Sequence, residues 1–153
     1  MAAFQDFQKH CTLCKRGKPC GENHVYVLQL DTRIWENKSR FKEENPNYKI
    51  GMDCLYVGRT GHLPKCRASM HVKCRKNVWS KKSFHCYCSG KKKMRKCSCY
   101  SKASEFVAEY NLYHLRGKLF KKHNPQYSRG ESKKEEVELT EELRSKGYGV
   151  WSK

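Results

Sequence analysis

Apolar residues gather in two short runs and later return with helical spacing. "HVYVLQL" (24–30) is rich in Val, Tyr and Leu and reads as a first strand. "CLYVG" (54–58) reads as a second, running into Gly58 and a polar turn. Between them, "RIWENKSRFKEEN" sets Ile34, Lys38 and Phe41 on one side, the pattern of a short amphipathic helix. Asn45-Pro46 ends it, because the residue before proline avoids helical angles. Pro64 suits a first helical position, where its missing N–H is not needed. The helix from there to about Lys73 carries Arg67 and His71 four residues apart, on one face.

"SEFVAEYN" is helical in pattern, with Phe106, Val107 and Tyr110 as its stripe and Asn111 suited to the left-handed angles that end a helix. "LYHLRGKLF" reads as a third strand. Ser132 and Glu135 form an S-x-x-E capping box for the last helix, Leu139 and Leu143 its inner stripe, and Gly147 its end. The expected fold is α/β (α+β): a small three-stranded, mostly antiparallel sheet flanked by helices.

The last helix holds five glutamates from 135 to 142. At ~100° per residue, Leu139 and Leu143 straddle the direction of Glu136, while Glu138 and Glu142 point away. A carboxylate on the inner stripe is costly unless it is paired or bound to metal. Glu136 is therefore either a functional acid or half of a structural ion pair.

Charge narrows the partners. Lys and Arg number 33 against 15 acids, a formal net charge of +18. So large an excess repels itself and calls for a polyanion, with nucleic acid first and a ribosomal setting as the neighbouring reading. No segment is apolar over the ~18 residues a membrane span needs. "MAAFQDFQKHC" lacks a secretory apolar stretch, so the expectation is no membrane partner and an intracellular protein, nucleus and cytoplasm not separated.

The chain has ten cysteines, and in that setting metal ligation is favoured over disulfides. Cys86-x-Cys88 and Cys97-x-Cys99 bracket a basic loop, "SGKKKMRK", and can close a tetrahedral structural Zn²⁺ site. Cys11-x₂-Cys14 is a half-site that Cys20 and Cys74 can complete as a second zinc, with His10 and His71 also at hand and pairing across the two sets left open. Cys54 and Cys66 read as small buried apolar groups. The organisation expected is a Cys-containing segment 1–23 packing on an inserted, basic, zinc-bound lobe 74–101, itself set in a domain spanning 24–151. Trp79, Phe84, Tyr87 and Tyr100 of the lobe suit either base stacking or a minimal zinc-knuckle core, and the lobe can also meet a protein partner.

A strand ending "HVYVL", a second with "LYVGRT", a helix bearing Arg67 and His71, a later helix with one inward Glu, and the tail "SEFVAEYNLYHL…EEVELTEELRSKGYGVW" together resemble the GIY-YIG nuclease superfamily, over roughly 24–71 and 104–151. Leu55-Tyr56-Val57-Gly58 with Arg67 carries most of the likeness; His24-Val25-Tyr26 keeps only the tyrosine of the first motif. The resemblance implies a metal-dependent endonuclease hydrolysing phosphodiesters, with DNA favoured over RNA. It also implies site residues: Glu136 to hold Mg²⁺ (or Mn²⁺), Arg67 to contact the scissile phosphate, Tyr26 as base or water-positioning group beside Tyr56, and His71 as a supporting polar group. Read from the residues alone, Tyr26 and Tyr56 can be strand aromatics, Arg67 one more phosphate contact, and His71 a zinc ligand or helix cap. The rival function is a non-catalytic, zinc-stabilised nucleic-acid-binding or ribosome-associated module on the same scaffold.

Overall fold

A computed structural model describes residues 20–65, 67, 68, 78, 79, 84, 85, 106, 107 and 109–152, with the side chains of Val78, Trp79, Phe84, His85 and Tyr113 left out. Strand β1 (His24–Leu30) leads into two short helices, α1 (Arg33–Asn37) and α2 (Ser39–Glu44), and then β2 (Cys54–Thr60). Two-residue strands β3 (Val78–Trp79) and β4 (Phe84–His85) pair antiparallel within the span expected to be an inserted lobe. Strand β5 (Asn111–Leu115), helix α3 (Gly117–Phe120), a 3₁₀ turn (Lys121–His123), helix α4 (Arg129–Ser145) and β6 (Gly149–Trp151) complete the order.

The main sheet has four strands rather than three, in the order β5-β1-β2-β6. β1 runs antiparallel to β2 from His24↔Thr60 to Leu30↔Cys54, and antiparallel to β5. β6 joins β2 in parallel, from Cys54↔Gly149 to Tyr56↔Trp151. α4 packs against β2, β6 and β1, and α3 against β1. The two central strands are consequently buried on both faces: Val25, Tyr26, Val27, Leu28, Leu55 and Val57 are all at most 1 % exposed. That explains why both read as near-continuous apolar runs instead of alternating ones.

Several local expectations needed correction. Ile34 and Phe41 are buried, but the helix between them is broken at Lys38, which adopts extended angles (φ −123°, ψ 101°). Its amine pairs with Glu109 at 3.3 Å and lies over the Phe106 and Tyr110 rings, a gain unavailable from a helical stripe position. Asn111 does not end a helix in left-handed angles; it opens β5 and is buried. The third strand stops at Leu115, and "GKLF" turns helical as α3. The last helix starts a turn earlier than expected. Ser128, not Ser132, is the N-cap: its hydroxyl accepts from Glu131 N–H at 3.1 Å, while Glu131 accepts from Tyr127 N–H at 2.9 Å. Leu139 and Leu143 do form the buried stripe, Pro64 is the first helical residue of its segment, and Gly147 (φ +96°) closes α4.

Two asparagine amides finish the sheet. Asn45 accepts from Val150 N–H (2.7 Å) and donates to Val150 C=O (3.0 Å), lying along the side of β6 turned away from β2. Asn124 treats Val25 in the same way, at 2.8 and 2.7 Å, beyond the point where β5 pairs with β1. Each side chain satisfies a strand residue on the flank where, among the described residues, no strand pairs with it. Among the described residues no helix is long and apolar enough to cross a membrane.

Candidate functional site

The β1–β2 register builds the site. Tyr26 lies opposite Gly58 and Tyr56 opposite Leu28, so the tyrosines are diagonal neighbours on one face, with ring centroids 5.9 Å apart and edge-on. Gly58 makes this possible: a Cβ there would stand 2.6 Å from both Cζ and the hydroxyl oxygen of Tyr26. The tyrosine ring thus folds over the glycine of the "YVG" motif.

Arg67 comes to the same point from the helix that Pro64 begins, with its N–H bonded to Leu63 C=O at 3.0 Å. The Tyr26 oxygen receives hydrogen bonds from Tyr56 and from Arg67. Burial pushes both phenols above their usual value near 10, Tyr56 further. On Tyr26 the guanidinium charge and the two donated hydrogen bonds oppose that rise; on Tyr56 the bond to Tyr26 adds to it. Of the pair, Tyr26 is the one prepared to carry negative charge.

Glu136 occupies the inward position on α4, its side chain 14 % exposed. Burial raises its carboxyl above 4.5 against the pull of Arg59, Ser152 and Lys133. Its partners are loose: Arg59 Nε at 3.8 Å and the Ser152 hydroxyl at 3.4 Å. Its charge reaches both phenols. The site therefore has two halves, a bonded Tyr26–Tyr56–Arg67 cluster and a half-buried carboxylate coupled to it electrostatically. A single carboxylate with weak competitors is a donor set suited to Mg²⁺, which keeps most of its ligands as water or substrate oxygen. Among the described residues no three His, Cys, Asp or Glu side chains group as a metal cage.

Arg59, Ser152 and His62 were not foreseen. Arg59 sits just past the "YVG" triplet, Ser152 just past β6, and His62 in the polar turn, where burial and the Arg67 charge hold its pKa down. A cleft of about 330 Å³ opens beside Arg59, lined also by Asn23, Thr60, Gly61, Arg129 and Ser132.

His71 lies outside the described residues, as do Cys11, Cys14, Cys66, Cys74, Cys86, Cys88, Cys97 and Cys99. The Cys20 thiol accepts from Leu63 N–H at 3.2 Å, and Gly21 N–H bonds Gly61 C=O, so residues 20–21 lie against the turn after β2. Cys54 is buried as expected, its thiol pushed up to about 11 by burial. No protein-family model matches the chain, and neither does a curated protein or a solved structure.

Proposed function

We propose that the chain is a metal-dependent endonuclease of the GIY-YIG type, hydrolysing phosphodiester bonds in nucleic acid, DNA before RNA. The observation that carries this reading is the Tyr26 oxygen accepting hydrogen bonds from both Tyr56 and Arg67 while feeling the charge of Glu136. A net charge of +18 supports a polyanionic substrate.

In this reading Arg67 grips the non-bridging oxygens of the scissile phosphate, which its planar fork suits. Glu136 holds a divalent cation, which when bound supplies positive charge against the charge building on the phosphoryl oxygens. Tyr26 orients the attacking water and takes its proton in the ionised form. The water oxygen forms the new P–O bond, one bridging P–O bond breaks, and the departing oxygen is protonated from solvent. Tyr56 keeps the Tyr26 oxygen in place, and Arg59 and Ser152 keep Glu136 turned inward.

The Cys-x-Cys pairs, Cys86/Cys88 and Cys97/Cys99, hold one structural zinc, and Cys11, Cys14, Cys20 and Cys74 a second; metal analysis of purified protein should return one to two Zn²⁺ per chain. The rival binding module draws on the Arg59–Glu136 approach at 3.8 Å, which partners the carboxylate without a metal ion. The deciding experiment incubates the protein with plasmid, branched DNA and RNA in Mg²⁺. Cleavage abolished in Arg67→Ala and Glu136→Ala, with binding retained, supports the nuclease. Binding without cleavage in every substrate supports the rival.

A further inference from the structure

The cleft beside Arg59 contains an oddity. Ser132 is 2 % exposed and forms part of its wall, yet among the described residues its hydroxyl has no hydrogen-bond partner. A buried, unsatisfied hydroxyl weakens the folded state, so a group that completes it is expected. The surroundings identify that group's charge. Arg59 and Arg129 line the same cleft with Asn23 and Thr60, at the first turn of the 17-residue helix α4. That turn presents backbone N–H groups and the positive end of the helix dipole.

Of the nearby carboxylates, one is turned elsewhere and one meets Arg59 only loosely. Glu131 accepts from Tyr127 N–H at 2.9 Å, and Glu136 faces the catalytic cluster with Arg59 at 3.8 Å. Arg59 donates to Arg129 C=O at 3.4 Å, tying the two arginine segments together.

Ser132 and Glu136 lie one turn apart on α4. Four residues at a 1.5 Å rise separate them by about 6 Å along the axis. Phosphates on one strand of a duplex advance about 3.4 Å per nucleotide. We infer that this cleft takes a second, non-scissile phosphodiester of the bound strand, one or two nucleotides from the bond that is cut, held by Arg59, Arg129 and the Ser132 hydroxyl. The inference rests on the nuclease reading for the position of the scissile bond, but not for the binding itself.

The test measures binding of a fluorescently labelled 20-base-pair DNA duplex by anisotropy over a KCl series, in a Glu136→Gln background that does not cut. Arg129→Gln, an exposed change that spares the fold, should weaken binding and flatten the slope of log K against log[salt] by about 0.9, one phosphate contact. Ser132→Ala should weaken binding about three- to tenfold with the slope unchanged, while raising the melting temperature of the free protein. Lys134→Gln, an exposed α4 lysine outside the cleft, serves as the control for general charge. Equal losses for Lys134→Gln and Arg129→Gln, or no loss with Ser132→Ala, would overturn the inference. Parallel cleavage assays keep the two readings apart. Cutting that needs Arg67 and Glu136 but not Arg129 or Ser132 removes the second phosphate alone. Binding that needs Arg129 and Ser132 without any cutting removes the nuclease alone.

Discussion

Gly58→Ala is the most direct probe of the site's geometry. The added methyl carbon would stand 2.6 Å from Tyr26 Cζ and Oη and 2.9 Å from Cε1. Ordinary carbon contacts begin near 3.5 Å, so the ring must retreat by about 0.9 Å. Tyr26 is 1 % exposed, so its ring cannot swing out into solvent without leaving the core. Overpacking of this kind costs about 1–3 kcal/mol, read as a lower urea midpoint at constant m-value. A shift of ~1 Å in the Tyr26 oxygen would also break its alignment with Arg67 and Tyr56 and lower the cleavage rate about 100-fold. Tyr26→Phe separates the two effects. In that background Gly58→Ala should still cost stability, since the ring carbons remain in its way, but should leave the residual cleavage rate unchanged. A Gly58→Ala protein with stability within 0.5 kcal/mol of the parent and undiminished cleavage would refute the argument that the ring must lie over the glycine.

Four further outcomes follow from the same geometry. The raised carboxyl of Glu136 favours its protonated form, so its contribution to stability is present below pH ~4.5 and lost as pH climbs through the higher folded value. Glu136→Gln should therefore melt roughly 2–4 °C higher at pH 7, with the gain gone near pH 4 by calorimetry, even as cleavage is lost. Saturating Mg²⁺ should raise the melting temperature of the parent and not that of Glu136→Gln, because only the parent keeps the ligand. Burial holds the Tyr26 phenol above 10, so if Tyr26 takes the water proton, log kcat should rise with unit slope from pH 7 to about 9.5; a flat profile would restrict Tyr26 to positioning. Asn45→Ala leaves the Val150 N–H without its acceptor, the Val150 carbonyl with only Arg144, and the Arg144 guanidinium one partner short, and should cost about 2–4 kcal/mol in denaturant unfolding.

What could be read from the sequence was local. β1 follows from a seven-residue stretch with five apolar residues, the inner stripe of α4 from the Leu139–Leu143 spacing, and the end of that helix from Gly147. The inward direction of Glu136 came from the same helical arithmetic. β6 was not legible: three residues, Gly-Val-Trp, become a strand only because Cys54–Tyr56 offer a parallel edge from far along the chain. Two S-x-x-E patterns sit one turn apart, Ser128–Glu131 and Ser132–Glu135. The cap expected from the sequence is the later one, yet Ser128 takes the extended angles of a cap (φ −147°, ψ 163°) and the helix begins there, with Gly130, a weak helix former, in its first turn. Lys38 defeated the periodicity because its stem and amine find two aromatic rings and a glutamate contributed by a segment some 70 residues on. Arg59 and Ser152 are two residues among many polar ones until folding brings them to the carboxylate.

The Asn45 amide has an effect beyond stability. An open strand margin is where a sheet recruits another chain, whether by swapping, peptide capture or aggregation. With Val150 already answered on both its N–H and C=O, that flank offers a newcomer no ladder to extend. Among the described residues, the flank left for growth of the sheet across a molecular boundary is the opposite one, along Asn111–Leu115.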